Sequence, residues 1–433
     1  MATNSLLTDA KITKEAMAVL HNTLSFVKGV DRQYSNQFGK SGAKIGSTIN
    51  VRKPNRYTVQ QGPAITPQGQ SESSTPLTLN RQWVVPMTFS TAELTLTIDE
   101  FSKRYIMPAI SKLASQIDLD CAYAAITGKY IDGVSSPGAG PVNTTIGTPG
   151  TTPGTAGGAA SGLLQYNAPQ IYLNAGLMMD NQAAPRDKNR TCALNPAAHA
   201  ASVGSLSGLF NPQGIISEQY RNGLLGNALG FDFTMDQNMP TLTSGTQTAI
   251  GTVTLVNNTA TCSSASAGAA SGTLVAGTTF TVAGVYAVNP ENQQPTGQLM
   301  QFVVTALNTA SGSAHTDLAI SPTPKLASST VADANCWTAT GSFSAQTGTI
   351  TSGATASTAY PVSLAFHQSA FTLGTADLEI PGGVDFAGRE TMDGISMRLV
   401  RQYDINSDFI VCRIDVLGGF ANLRPELAVR IAG

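Results

Sequence analysis

Apolar residues recur at helical spacing near the start of the chain. Met17, Leu20, Leu24 and Val27 lie three, four and three positions apart, on one face of a helix predicted over 13–28. Gly29 suits its end. Such a stripe either packs on the chain's own core or belongs to an arm that packs on a neighbouring subunit. From residue 47 the period shortens to two. Ile49, Val51, Tyr57 and Val59 alternate with polar residues, and Pro63 to Pro76 is rich in Pro, Gly, Ser and Gln. Leu77 and Leu79 then open a return strand that continues through Trp83, Val85, Phe89, Leu94 and Leu96. The pattern predicts an extended hairpin over 47–97 with an exposed tip. Two strands alone are marginal in water, so the hairpin must rest on another surface, of this chain or of another copy.

Thr97-Ile-Asp-Glu100 is a capping box that predicts a short helix over 98–106. Pro108 is welcome at a helix start and costly inside one. A second helix is therefore predicted from Pro108 to about Tyr130, roughly 30 Å long. Ile110, Leu113, Ile117, Cys121, Ala124 and Ile126 form its apolar stripe, and Lys112, Asp118 and Asp120 are assigned to its outer face. Residues 133–162 are Gly, Pro, Thr and Ala, a loop. A mixed segment follows, with helices near 167–178, from Asn195-Pro196 and over 215–221, and strands at 190–194 and 230–235.

Composition then changes. Residues 244–363 carry only four charged side chains, Glu291, Asp317, Lys325 and Asp333, of the chain's 52. Short strand-like runs alternate with turn signals, which predicts an all-β sandwich or barrel. Strands resume at 371–380, 395–404 and 409–416, and 426–431 closes the chain. The economical interpretation is an α+β domain interrupted by an inserted β domain.

Overall, 12% of residues are charged, about half the roughly 25% usual for soluble proteins, and the formal net charge is −2. That excludes a strongly basic nucleic-acid binder and an acidic disordered chain. The start shows no secretory h-region, and no run of about 18 apolar residues predicts a membrane span. The five cysteines lack any CxxC pair, so buried reduced thiols are expected. His21, His199, His315 and His367 match no metal motif. Gly39-Lys40-Ser41 lacks the leading Gly of a P-loop, position 34 being Tyr. Gly133 to Gly138 misses a nucleophile elbow by one residue. Asp118 and Asp120 cannot share a helix face. Asp404 and Asp408 flank a turn without the EF-hand ligand pattern. No enzyme, cofactor or metal is predicted.

Several stretches, in order and spacing, carry a resemblance. They are Ile45-Gly-Ser-Thr-Ile-Asn-Val-Arg-Lys-Pro54, Leu94-Thr-Leu-Thr-Ile-Asp-Glu-Phe101 with Pro108-Ala, and Gly226-Asn-Ala-Leu-Gly-Phe231 with Gln237-Asn-Met-Pro240. Further on are Gly277 to Pro290, Asp415-Val-Leu-Gly-Gly-Phe420, and Leu423-Arg-Pro-Glu-Leu-Ala-Val-Arg-Ile431. Together they resemble the major capsid (coat) proteins of tailed phages of the P22 type. The resemblance implies a Hong Kong 97-like α+β capsid fold. Its parts would be an N-terminal arm (1–46), an E-loop hairpin (47–97), and a P-domain spine helix with its following loop (98–165). The A domain (166–243, returning at 364–433, where the chain also rejoins the P domain) would carry a telokin-like all-β insertion (244–363).

The implied function is an icosahedral shell of hexamers and pentamers around packaged double-stranded DNA. The implied partners are other copies, a scaffolding protein, a portal and weakly contacted DNA, with room for a decoration protein and no membrane. The implied location is the virion capsid, and the host cytoplasm during assembly. A β-rich tail, fibre or adhesion protein is the alternative reading. Met17, Leu20, Leu24, Val27, Arg52, Lys53, Arg56, Tyr57 and Trp83 are the expected assembly contacts. Some relatives with this fold weld subunits through a Lys–Asn isopeptide bond from the E-loop. No Lys lies between Tyr57 and Gln82, and the nearest is Lys53, so a non-covalent shell is expected.

Overall fold

A computed structural model of the chain describes residues 13–32 (except 15 and 21–23), 48–57, 59, 62, 72–90, 105–146, 169–206, 225–266 (except 248), 272–327 (except 313), 331, 333–351 and 356–432 (except 393). The predicted capping box at 97–100, the tip at 63–71 and the helix at 215–221 lie outside these residues. The chain divides into two compact units.

The first unit takes Met1–Asn50, Pro76–Cys121 and Phe371–Ala421. Its sheet is built on one long strand, Phe409–Asn422, which pairs antiparallel with Ile395–Asp404 on one side and Arg81–Ser90 on the other. Phe386–Met392 lies outside Ile395–Asp404, and Phe371–Ala376 also pairs with the long strand. The period-two pattern is visible at its start, where Cys412, Ile414 and Val416 are buried while Phe409 and Val411 face out. Gly419 is required: a Cβ there would stand 1.9 Å from the Thr78 carbonyl oxygen.

The expected hairpin needs one correction here. Its return strand is only Ser74–Thr78, paired with Thr48–Arg52. Trp83, Val85 and Phe89 belong instead to the first unit's sheet, which offers ten consecutive register partners on the long strand.

The N-terminal helix is helical at 13–14 and 16–20, then gives way to a 3-10 turn at Val27–Gly29. The reason is local. Asp118 accepts the backbone N–H groups of Ser25 (2.8 Å) and Val27 (3.0 Å), which an α-helix would have used internally. Phe26 then meets Phe371 and Phe420 at 6.1 and 6.3 Å. Asp31 forms a parallel bridge with Thr372. The stripe Met17, Leu20, Leu24, Val27 is buried within the chain's own fold.

The long helix runs Met107–Thr127. Its stripe, Ile110, Leu113, Ile117, Cys121, Ala124 and Ile126, is buried as expected. Asp118 and Asp120 are not on an outer face, being 0% and 1% exposed. A carboxylate can be buried when its lone pairs are filled, and both are. Asp120 accepts the Trp83 indole N–H at 2.8 Å and faces Arg81 at 3.3 Å. Lys112 is exposed as expected.

The second unit takes Val51–Thr75, Ala122–Ala370 and Asn422–Gly433. Its sheet has the order Thr145–Ile146, Ala428–Ala432, Ala359–His367, Arg190–Leu194, Phe231–Met235, Asn227–Ala228. Arg190–Leu194 and Phe231–Met235 are parallel. Between them the chain forms the Pro196–Leu206 helix, with Asn195 Oδ1 accepting the Ala198 N–H as N-cap. The Pro169–Asn181 helix is held by Tyr172, which packs edge-on against Phe233 at 5.1 Å and hydrogen-bonds Ser202.

The charge-poor stretch is a closed barrel. Six antiparallel strands run in the order Pro295–Val304, Ala314–Ser321, Thr261–Ser266, Ile250–Thr254, Gln346–Ile350, Thr279–Val288. Thr279–Val288 pairs back with Pro295–Val304 and closes the ring. Closure leaves no free sheet edge, so few charges are needed to guard one. Val253, Phe280, Val282, Phe302, Val304 and Leu318 fill its core, with Phe280 and Phe302 in register at 5.8 Å.

The chain leaves for the barrel from Thr241–Thr243 and returns through Ala359–Pro361, which pair with each other. Within this unit the Gln301 amide locks the barrel to the sheet like one more strand. It accepts the Thr145 N–H at 2.6 Å and donates to the Thr145 carbonyl at 3.0 Å.

Candidate assembly surfaces

Fixed polar groups hold the sheet of the first unit. Asp415 is completely buried and takes Arg398 through Nε (3.0 Å) and Nη2 (2.6 Å), Arg413 (2.8 Å) and the Gln82 amide (3.0 Å). The bidentate guanidinium pair fixes the register of Ile395–Asp404 on the long strand, where Arg398 and Asp415 are opposite partners. In the second unit Arg430 is buried without a carboxylate partner among the described residues. It donates to the Gly277 carbonyl at 2.8 Å, and burial lowers its guanidinium to about 10.

Of the nine expected contacts, Met17, Leu20, Leu24, Val27 and Trp83 are buried. Trp83 donates its indole N–H to Asp120. Arg52, Arg56 and Tyr57 are exposed, and Lys53 is half-buried. Arg52 faces Glu72 at 3.2 Å across the hairpin, a pair that contributes little at full exposure. Lys53 lies in an electrostatic cluster with Arg56, Arg424, Lys325 and Glu426, and burial holds its ammonium below the usual lysine range. Arg56 is 3.8 Å from Glu426, and Lys325 is paired with Asp333.

A second exposed feature escaped the sequence reading. The turn 404–408 between the Ile395–Asp404 and Phe409–Asn422 strands carries Ile405, 80% exposed, between Tyr403 and Phe409, 43% and 44% exposed. Three large apolar residues in seven positions were its signal, visible beside the two aspartates that drew attention to metal binding. Asp404 accepts the Asn406 N–H (3.0 Å) and the Ser407 hydroxyl (2.9 Å), and the backbone N–H holds its carboxyl below the usual range. Asp408 accepts the Tyr403 hydroxyl at 3.0 Å.

No group of three or more His, Cys, Asp or Glu side chains is gathered for a metal among the described residues. His315 is buried in the barrel on Asn308, and His367 rests on Asp187. All five cysteines are free and buried, and desolvation raises each thiol, Cys262 and Cys336 to about 12 and Cys412 to about 11. Native protein is expected to give no fast reaction with a thiol-specific reagent and five equivalents after denaturation. Even one fast equivalent from native protein would contradict the packing.

A first unit braced by the buried Asp415 ion-pair cluster and a second that carries a closed six-stranded barrel define the class as a strand-rich α+β protein. The particular family is set by sequence: a model of the P22 coat protein (gene protein 5) matches residues 164–433. The chain belongs to that family, and its function is that of a phage major capsid protein.

No curated protein sequence matches. Among solved structures, the chain is similar to one from Mycobacterium phage Che8 at 11% identity, with 94% of this chain and 90% of that one covered and a TM-score of 0.47. It is also similar to the capsid of Ralstonia phage GP4, at 8% identity, 94% and 87% coverage and a TM-score of 0.45. A third is the virus-like particle from Pyrococcus furiosus, at 8% identity, 97% coverage of both chains and a TM-score of 0.37.

Proposed function

We propose that this coat protein forms hexamers and pentamers of a closed icosahedral shell around packaged double-stranded DNA, assembling in the host cytoplasm with a scaffolding protein and a portal. In this reading Thr48–Thr78 is the E-loop, Met107–Thr127 the spine helix of the P domain, and the barrel an inserted domain of a Hong Kong 97-like fold. The hairpin carries the reading. It is a two-stranded ladder whose residues Arg52 and Tyr57 stand in solvent and whose Val59 is 93% exposed, and two strands alone are marginal in water. The ladder rests one face, with Val51 and Leu77 buried, on its own chain, and a second copy covers the side that Arg52, Tyr57 and Val59 leave in solvent. The near-neutral net charge of −2 suits dense packing of many copies and only weak contact with DNA. The role is structural rather than catalytic.

Co-expression with a phage scaffolding protein is expected to give closed shells in negative-stain electron microscopy. The same particles are expected to run as a single monomer band in SDS, because the hairpin has no lysine beyond Lys53 before Lys103. Persistent monomers or trimers would sink the shell reading, and a ladder above the monomer would sink the non-covalent one.

A further inference from the structure

The acidic turn and the basic cluster are complementary, and we propose that they are two halves of one contact: the 404–408 turn of one copy docks on the Lys53–Arg56–Lys325–Arg424 cluster of the next. The proposal rests on the shell reading above, and it names which surfaces meet.

Three observations carry it. First, the turn presents two carboxylates and no cation, Asp404 and Asp408, at the end of a rigid antiparallel pair whose register is fixed over seven consecutive partners from Arg398↔Asp415 to Asp404↔Phe409. A feature held this firmly is preorganised, which lowers the cost of binding.

Second, Ile405 at its tip is 80% exposed and is flanked by Tyr403 and Phe409. Three large exposed apolar residues within seven positions, beside two carboxylates, give an incoming surface both apolar area and charge to meet. The turn conformation is specified and not slack: Asp404 binds the Asn406 N–H and the Ser407 hydroxyl, while Asp408 adopts φ 52° and accepts Tyr403.

Third, Arg56 stands 3.8 Å from Glu426, Lys53 feels the charges of Arg56, Arg424, Lys325 and Glu426, and Lys325 is paired with Asp333. That leaves an excess of two positive charges, against two negative charges on the turn. Half-burial of Lys53 among like charges is unfavourable in the free chain, so an incoming carboxylate relieves it. Glu426 sits in the Pro425–Leu427 turn directly before the buried Ala428–Ala432 strand, which fixes the position of the cluster's carboxylate.

The two patches are different surfaces, so the contact is head-to-tail. Contacts of this type generate rings when the rotation closes, as a hexamer or pentamer requires. A charge-based contact at a partly exposed site weakens as salt shortens the Debye length from about 10 Å at 0.1 M to about 3 Å at 1 M.

The test uses particles from the wild-type chain, assembled from equal amounts of unlabelled and nitrogen-15-labelled copies and treated with a zero-length carbodiimide. Mass spectrometry is expected to find peptides joining Asp404 or Asp408 to Lys53 or Lys325, in mixed-isotope pairs that only an inter-copy link produces. A second arm uses Asp404→Asn with Asp408→Asn, which keeps one acceptor oxygen at each position, lets the new amide of residue 404 donate to the Ser407 hydroxyl instead of accepting from it, and removes the turn's charge. Closed particles are expected to be lost at physiological salt while the five thiols stay protected. Wild-type particles that give no mixed-isotope link, or a neutral-turn variant that assembles undiminished, would overturn the contact and leave the shell reading standing. No particles from the wild-type chain would overturn the shell reading and the contact with it.

Discussion

Asp415→Ala is expected to destabilise the first unit by about 3–5 kcal/mol, the usual cost of breaking a buried ion pair from one side. The carboxylate is 0% exposed and is the shared acceptor for Arg398, Arg413 and Gln82. Removing it leaves the Arg398 guanidinium, 14% exposed, without its counter-charge. A loss of that size is a large share of the about 5–15 kcal/mol that a typical fold has in hand. The expected readout is a lower urea midpoint of the soluble protein and a collapse in soluble yield. The double variant Asp415→Leu with Arg398→Met is expected to recover most of the loss, because well-packed apolar pairs can replace a buried ion pair. An Asp415→Ala protein with an unchanged midpoint would show that the pair does not hold the sheet.

Phe302→Ala carries the second large effect, about 3–5 kcal/mol from lost burial and the cavity left behind. Phe302 is fully buried and pairs in register with Phe280 across the strands that close the barrel. If the barrel is an inserted domain, the damage stays inside it. Cys262 and Cys336 belong to the barrel core, while Cys121, Cys192 and Cys412 do not. Thiol labelling under mild urea is therefore expected to expose the first two well before the other three. Simultaneous exposure of all five would mean that the barrel and the rest of the chain unfold as one cooperative body.

Much of this architecture is legible in residue order. Ile395–Asp404 and Arg190–Leu194 fall on the predicted bounds because each is a run of β-prone residues with a turn signal or helix cap at its end. The barrel follows from alternation, turns and missing charge. What pattern cannot show is which strand pairs with which. Arg81–Ser90 continues the hairpin's period-two pattern, yet it pairs with residues more than 300 positions later. Periodicity describes a face, not a partner. The same limit misplaced Asp118 and Asp120: their type argued for solvent, and the N–H groups of Ser25, Val27 and Trp83 and the Arg81 guanidinium, brought from other elements, offset their burial. The exposed tip at Ile405 was in plain view as composition but had no meaning until its neighbours proved exposed.

A cryo-electron microscopy reconstruction of the particles formed with a scaffolding protein tests the central claim most directly. The expected result is a closed icosahedral shell resolved into pentamers and hexamers, with the five-stranded sheet of the first unit and the closed barrel of the second both recognisable in every subunit. Elongated fibres, or a discrete small oligomer under conditions where the scaffolding protein is present and soluble, would contradict it.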